Sequence, residues 1–200
     1  MNSGLVKKEI DYDAIITPTR FQISPNTGFK NIKKLKPGHY LIFKNGQLVI
    51  KEYWDIKAEE VNISNSDAFE KLDFLLNDAV KLQMIADVKV GLFLSGGLDS
   101  SIIGSLMRKN SNFDIHCFTI KFSEKDNKFE KSVNDSHYAR KVANKFNFIY
   151  HELELNPNII DLLPKIIYQL DEPLTDPAAI NTYLLSKMAR DEGITVMLNG

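Results

Sequence analysis

A single cysteine, Cys117, stands among the 200 residues, so no disulfide can close within the chain and no cysteine cluster is available for zinc. It lies in the apolar run Ile115-His116-Cys117-Phe118-Thr119-Ile120 and reads as a small core residue. Neither charge sign is in excess. The 25 Lys and Arg nearly balance 26 Asp and Glu, leaving −1, which argues against nucleic acid or an anionic membrane as a partner. The basic cluster Lys33, Lys34 and Lys36 is short and reads as a solvated loop. No apolar run approaches the ~20 residues that span a bilayer. The N-terminus lacks the apolar core of a secretory signal, so the expected location is the cytoplasm. The four histidines (His39, His116, His137, His151) are scattered, with no i, i+4 pair to suggest a metal site. Internal repeats and low-complexity stretches are also missing.

What is present divides into two styles of chain. Residues 1–56 carry turn signals at Pro18, Pro25-Asn26, Pro37-Gly38 and Asn45-Gly46. The last pair is flanked by the apolar runs 39–43 and 47–50, and Asn-Gly favours the positive φ angles of a type I′ turn, so a β-hairpin is predicted. Residues 57–65 read as a polar linker. From Ser66 onward helix and strand patterns alternate. Phe69, Leu72, Leu75, Leu76, Ala79, Val80 and Leu82 repeat at helical spacing, with Ser66 or Asn65 as N-cap. Strands are predicted at 90–94, 115–120, 149–153 and 194–198. Helices are predicted from about Ser100 to Arg108, near 133–146 with Tyr138, Val142 and Phe146 on one face, along Ile159 to Leu170, and from Ala179 to Arg190. Such alternation implies βαβ crossovers: an α/β fold with a Rossmann-like, mostly parallel sheet and helices on both faces.

The run Ser95-Gly96-Gly97-Leu98-Asp99-Ser100-Ser101 follows the strand 90–94 and opens the next helix. A turn of this kind aims backbone N–H groups and a helix N-terminus at one point, which suits an anion. Small residues admit the anion closely, and the serines add hydroxyl donors. Asp99 repels an anion unless a cation lies between them, which suggests magnesium. The loop has neither the Lys-Ser/Thr ending of a Walker A motif nor the Gly-x-Gly-x-x-Gly spacing of a dinucleotide fold. A plain helix cap is the alternative reading of the same residues.

Ser95-Gly96-Gly97-Leu98-Asp99-Ser100 resembles the pyrophosphate-binding loop of the N-type ATP pyrophosphatases. The stretch 85–101, together with 34–40, Tyr53-Trp54, Leu170-Asp171-Glu172-Pro173 and Asp176-Pro177-Ala178-Ala179-Ile180, is similar to glutamine-hydrolysing asparagine synthetases. The resemblance covers residues 25–200 or thereabouts. It implies an adenine nucleotide alpha hydrolase-like domain that binds ATP and Mg2+ and activates the aspartate side chain as β-aspartyl-AMP. Ammonia released from glutamine by a separate glutaminase domain then gives asparagine. Carried onto this chain, Ser95, Gly96, Gly97, Asp99 and Ser100 are expected to hold the pyrophosphate, with Ser95 and Asp99 catalytic and Asp99 a magnesium ligand. Phe93 or Leu94, and Ile120 on the next strand, are expected to meet the adenosine. Asn199-Gly200 align with the family's Ser-Gly at the AMP site. For Phe93, Leu94 and Ile120 core packing is the plainer reading; Asp171, Glu172 and Asp176 read equally as acidic residues near the active face or as a solvated loop or helix cap.

The resemblance also implies the organisation. Residues 1–56 correspond to the tail of a glutaminase-type (Ntn-hydrolase) domain, 57–65 to a linker, and 66–200 to the first part of the synthetase domain. Asn2 stands where the family has its cysteine nucleophile, and the later acidic loop and lysine fall beyond Gly200. A fragment, inactive alone, is therefore expected, with a homodimer or association with a separate glutaminase or C-terminal portion. Alternatives are a related amidoligase that adenylates another carboxylate, or a non-catalytic nucleotide-binding remnant or subunit.

Overall fold

The computed structural model describes residues 4–16, 22–121, 135–155, 159–171, 176 and 178–200. The chain forms two compact units, one of residues 1–61 with 159–179, the other of residues 62–158 with 180–200.

In the first unit a short helix, α1 (Tyr12–Ile16), is capped by Asp11, whose Oδ1 accepts the Ala14 N–H at 3.2 Å. The hairpin predicted from Asn45-Gly46 is present as β1 (His39–Lys44) and β2 (Gln47–Glu52), paired in register from His39↔Glu52 to Lys44↔Gln47. Asn45 and Gly46 take φ angles of 52° and 76°, the positive pair that this turn requires. A helix follows at Ile159–Leu170 (numbered α5 below in chain order), as the apolar spacing predicts.

The second unit carries the α/β sheet. Its elements are α2 (Asn65–Gln83), β3 (Val90–Phe93), α3 (Leu98–Lys109), β4 (His116–Lys121), α4 (Asp135–Phe146), β5 (Ile149–Glu154), α6 (Ala178–Asp191, which begins in the first unit) and β6 (Val196–Leu198). The strand order is β5-β4-β3-β6, and all three pairings are parallel. Strand alternation sends Leu92, Leu94 and Cys117 to one face, where they pack with Val80 of α2, Leu106 and Met107 of α3, and Ala139 and Ala143 of α4. Phe118, with Phe93 and Ile120, turns to the other face, against Leu185 and Ala189 of α6. Helices therefore cover both faces, as the alternating pattern implies.

Three local readings are corrected. The N-cap of α2 is Ser64, not Ser66 or Asn65: its backbone is extended and its Oγ accepts the Asp67 N–H at 3.2 Å, the reach of a cap to the third helical residue. On α4 the buried face is Ala139 and Ala143, with Val142 and Phe146 beside it, whereas Tyr138 is 49% exposed. Methyl side chains let this helix lie close to the sheet. On α2 only Val80 is buried, and Phe69, Leu72, Leu75 and Leu82 are exposed in spite of their helical spacing.

Candidate functional site

The strand order fixes where a ligand can sit. From β3 the chain crosses by α3 to β4 on one side, and β6 later joins on the other. The carboxyl end of β3 is thus the switch point of the sheet, where crossovers diverge and leave a crevice. Residues 95–97 emerge at that point.

The loop is held by its own hydroxyls. Ser100 is buried at 5% exposure, and its Oγ accepts the Ser95 N–H at 3.3 Å, donates to the Gly97 carbonyl at 3.3 Å and lies 3.0 Å from Ser95 Oγ. Ser95 Oγ accepts the Gly97 N–H at 3.2 Å, and Ser101 Oγ donates to the Gly97 carbonyl at 2.7 Å. Gly96 takes φ 81°, and a Cβ there would stand 2.5 Å from the Ala139 nitrogen and 2.8 Å from the Asp135 carbonyl. Only glycine fits between the turn and the first turn of α4.

The first turn of α3 faces outward. Gly97 is its N-cap and supplies no side-chain hydrogen bond. Among the described residues, the N–H groups of Gly96, Leu98 and Asp99 have no hydrogen-bond acceptor outside the solvent. A plain Asp or Ser cap, the alternative to an anion site, is not formed. Donors left open at a helix N-terminus favour negative charge. Asp99 is exposed in this turn, beside Ser95 and Gly97, which are exposed as well.

Gly200 completes the crevice wall. Following β6, it lies so close to α3 that a Cβ on it would come 2.5 Å from the Ser100 nitrogen and 2.6 Å from the Asp99 carbonyl carbon. Two segments a hundred residues apart in sequence thus meet at the switch point. Asn199 beside it is exposed.

The strand residues separate. Phe93 and Ile120 share the α6 face and are half-buried. Leu94 points to the opposite core at 1% exposure, its N–H donates to the Phe118 carbonyl at 3.0 Å, and its carbonyl accepts from Thr119 Oγ1 at 2.6 Å. Its side chain forms the floor beneath the loop, and of its backbone groups only the second lone pair of the carbonyl is left. In the first unit Asp176 caps α6, accepting the Ala178 N–H at 2.9 Å, which is the plainer of its two readings. Asp171 is exposed with φ 58°, and Glu172 lies outside the described residues.

A polar cluster that the sequence does not announce supports this end of the sheet. Glu152 Oε2 accepts from Arg140 Nη2 of α4 and from the Tyr150 hydroxyl, each at 2.8 Å, and Lys121 Nζ stands 3.9 Å from its Oε1. Burial works against the Glu152 carboxylate, but the hydrogen bonds from Arg140 and Tyr150 and the nearby cations outweigh it and hold its pKa below the usual range. Burial, aided by the bond to Glu152, pushes the Tyr150 phenol up to about 12. The i, i+2 spacing of Tyr150 and Glu152 places both on one strand face, but the pairing with α4 needed the fold.

The sequence model of the family "Asparagine synthase" matches residues 71–200. The chain belongs to the asparagine synthase family. Asparagine synthetase [glutamine-hydrolyzing] 3 of Bacillus subtilis is 32% identical over 160 residues, covering 75% of this chain and 26% of that protein. Asparagine synthetase [glutamine-hydrolyzing] 1 of Bacillus subtilis is 31% identical over 195 residues, covering 96% of this chain and 30% of that protein. A putative asparagine synthetase of Methanocaldococcus jannaschii is 32% identical over 200 residues, covering 97% and 37%. The chain therefore spans less than two-fifths of the length of each of these curated relatives.

Proposed function

We propose that this chain is the nucleotide-binding part of an asparagine synthetase, an ATP-dependent amidoligase. The observation that carries the reading is the uncapped N-terminus of α3 at the switch point, with Gly96 and Gly200 shaping the backbone around it. In the proposed reaction the aspartate side-chain carboxylate attacks the α-phosphorus of ATP, and the bond to the β-phosphate breaks. Pyrophosphate leaves and β-aspartyl-AMP remains. Ammonia, from glutamine hydrolysed elsewhere in the full-length protein, attacks the activated carbonyl, loses a proton and expels AMP.

Negative charge grows on the departing pyrophosphate, so fixed donors aimed at it lower the barrier. The Leu98, Asp99 and Gly96 N–H groups are the donors in reach, joined by the Ser95 hydroxyl once its proton turns from Ser100 Oγ to the ligand, and Ser100 keeps them oriented rather than touching the phosphates. Exposed Asp99 fits a magnesium ligand, since a carboxylate beside phosphate oxygens needs a cation between them; bound Mg2+ would neutralise charge on the leaving group. Phe93 and Ile120 are the candidates to flank the adenosine. Cytoplasmic location and association with a glutaminase portion belong to the same reading; among the described residues no helix is long and apolar enough to cross a membrane.

The test has two parts. Calorimetric titration of this chain with ATP should show binding that strengthens with Mg2+ in the wild type but not in Asp99→Ala. Equal affinity with and without magnesium in the wild type removes the metal role. In the complete protein, AMP, pyrophosphate and asparagine should appear together on addition of aspartate. Adenylation that ignores aspartate but responds to another carboxylic acid moves the chain to a related amidoligase, and ADP release rejects the mechanism.

A further inference from the structure

The histidines that lack any metal-binding spacing in sequence are brought together by the sheet. His116 opens β4 and His151 is the third residue of β5; Phe118 pairs with His151, and His116 lies two residues earlier on the same strand face. His116 Nδ1 and His151 Nε2 stand 2.9 Å apart. The ring centroids are 5.1 Å apart with planes inclined by 10°. That separation is about the nitrogen–nitrogen distance plus one ring radius at each end, so the rings meet edge to edge with their nitrogens facing each other across a shared hydrogen. The ring of Phe118 lies parallel to His151 at 4.6 Å and restrains it.

A third donor lies nearby at the end of α6. Glu192 Oε1 is 3.9 Å from His151 Nδ1, the ring nitrogen that does not face His116, and one donor atom from each of His116, His151 and Glu192 lies within 4.8 Å of the other two, so the exposed Glu192 side chain must swing toward the His116 side to complete the set. Both histidines are half-buried and Glu192 is exposed, so the cluster is reachable from solvent. It sits where β4 begins and α6 ends, toward the opposite end of the parallel strands from the 95–100 loop, which follows the end of β3.

We propose that His116, His151 and Glu192 form a binding site for a divalent transition-metal ion of the zinc class, one that ties the end of α6 to β4 and β5. Two imidazoles and one carboxylate form a donor set suited to Zn2+, Co2+ or Ni2+ rather than to Mg2+ or Ca2+. Two nitrogens on a tetrahedral zinc are about 3.3 Å apart, given Zn–N bonds near 2.0–2.1 Å. The present nitrogen–nitrogen gap is only slightly shorter, so the rings keep their spacing, and each must tilt until both lone pairs meet at the ion in place of the shared hydrogen. Three protein ligands leave one position to water.

The experiment is a Co2+ titration of this 200-residue chain without a histidine tag, read by visible d–d absorption. The expected result is one tetrahedral Co2+ per chain, displaced by Zn2+ and not by excess Mg2+. Glu192→Gln, at an exposed position, should keep the native far-ultraviolet circular dichroism and weaken Co2+ binding by about tenfold or more. His151→Ala should abolish the band. Absence of the band in the wild type overturns the proposal. So does displacement by Mg2+, which would point to an oxygen-rich site, or wild-type affinity in folded Glu192→Gln.

Discussion

Gly96 and Ala139 share a space too small for any side chain between them. A Cβ on Gly96 would lie 2.5 Å from the Ala139 nitrogen and 2.8 Å from Tyr138 Cβ, on a residue whose φ is 81°. Gly96→Ala should therefore destabilise the α/β unit by about 3 kcal/mol, combining left-handed strain with overpacking. Because the loop and α4 must part, ATP binding should fall with it. Urea unfolding monitored by circular dichroism checks the first effect, and a change under about 0.5 kcal/mol would show that α4 yields freely.

Ser100 is expected to matter without touching a ligand. Its buried Oγ is the hub for Ser95 N–H, Ser95 Oγ and the Gly97 carbonyl. Ser100→Ala leaves the Ser95 N–H without its acceptor, a cost of about 1–2 kcal/mol. Pyrophosphate affinity should fall about tenfold as the donors lose their common direction. Calorimetry with pyrophosphate in Mg2+ measures this; unchanged affinity would mean that Gly96 and Gly97 alone set the loop.

The parts of the fold legible in the sequence are those where one local cause suffices. Asn45-Gly46 dictates its turn, and the apolar runs of β3 and β4 dictate buried parallel strands. The 95–100 loop is legible for the same reason, being one strand end and one helix start. Gly200 against Ser100, Glu152 with Arg140, and His116 with His151 are different. Each joins residues at least a dozen positions apart, and their meeting depends on strand order, which no periodicity encodes. Helix α2 misleads for the opposite reason: its apolar spacing is regular, yet Phe69 and Leu72 find no core within this unit.

Cys117 should be chemically silent in the folded chain. It is fully buried beside Leu92 and Met107, and burial pushes its thiol up to about 12. At pH 8 only about one molecule in ten thousand then carries the thiolate that reacts. A disulfide reagent such as DTNB should label the native chain at least about a hundredfold more slowly than the guanidinium-unfolded chain, with one thiol released on unfolding. Rapid stoichiometric labelling without denaturant would place Cys117 at the surface and contradict the parallel β3–β4 core.

Glu152 should make stability fall with acid in a predictable window. Its folded pKa is depressed: burial opposes the charge, but Arg140, Tyr150 and Lys121 prevail. The carboxylate therefore stabilises the fold fully above its unfolded pKa of about 4.3, and that contribution is lost as pH falls through the lower folded value. Because Arg140 is largely exposed, the interaction is screened, and Glu152→Gln should cost only about 1 kcal/mol near neutrality. Urea midpoints of wild type and variant, compared from about pH 7 down to about pH 3, should converge as the carboxylate protonates. A gap that stays constant across this range would mean that the glutamine disturbs packing under α4, and that the charge on Glu152 contributes nothing.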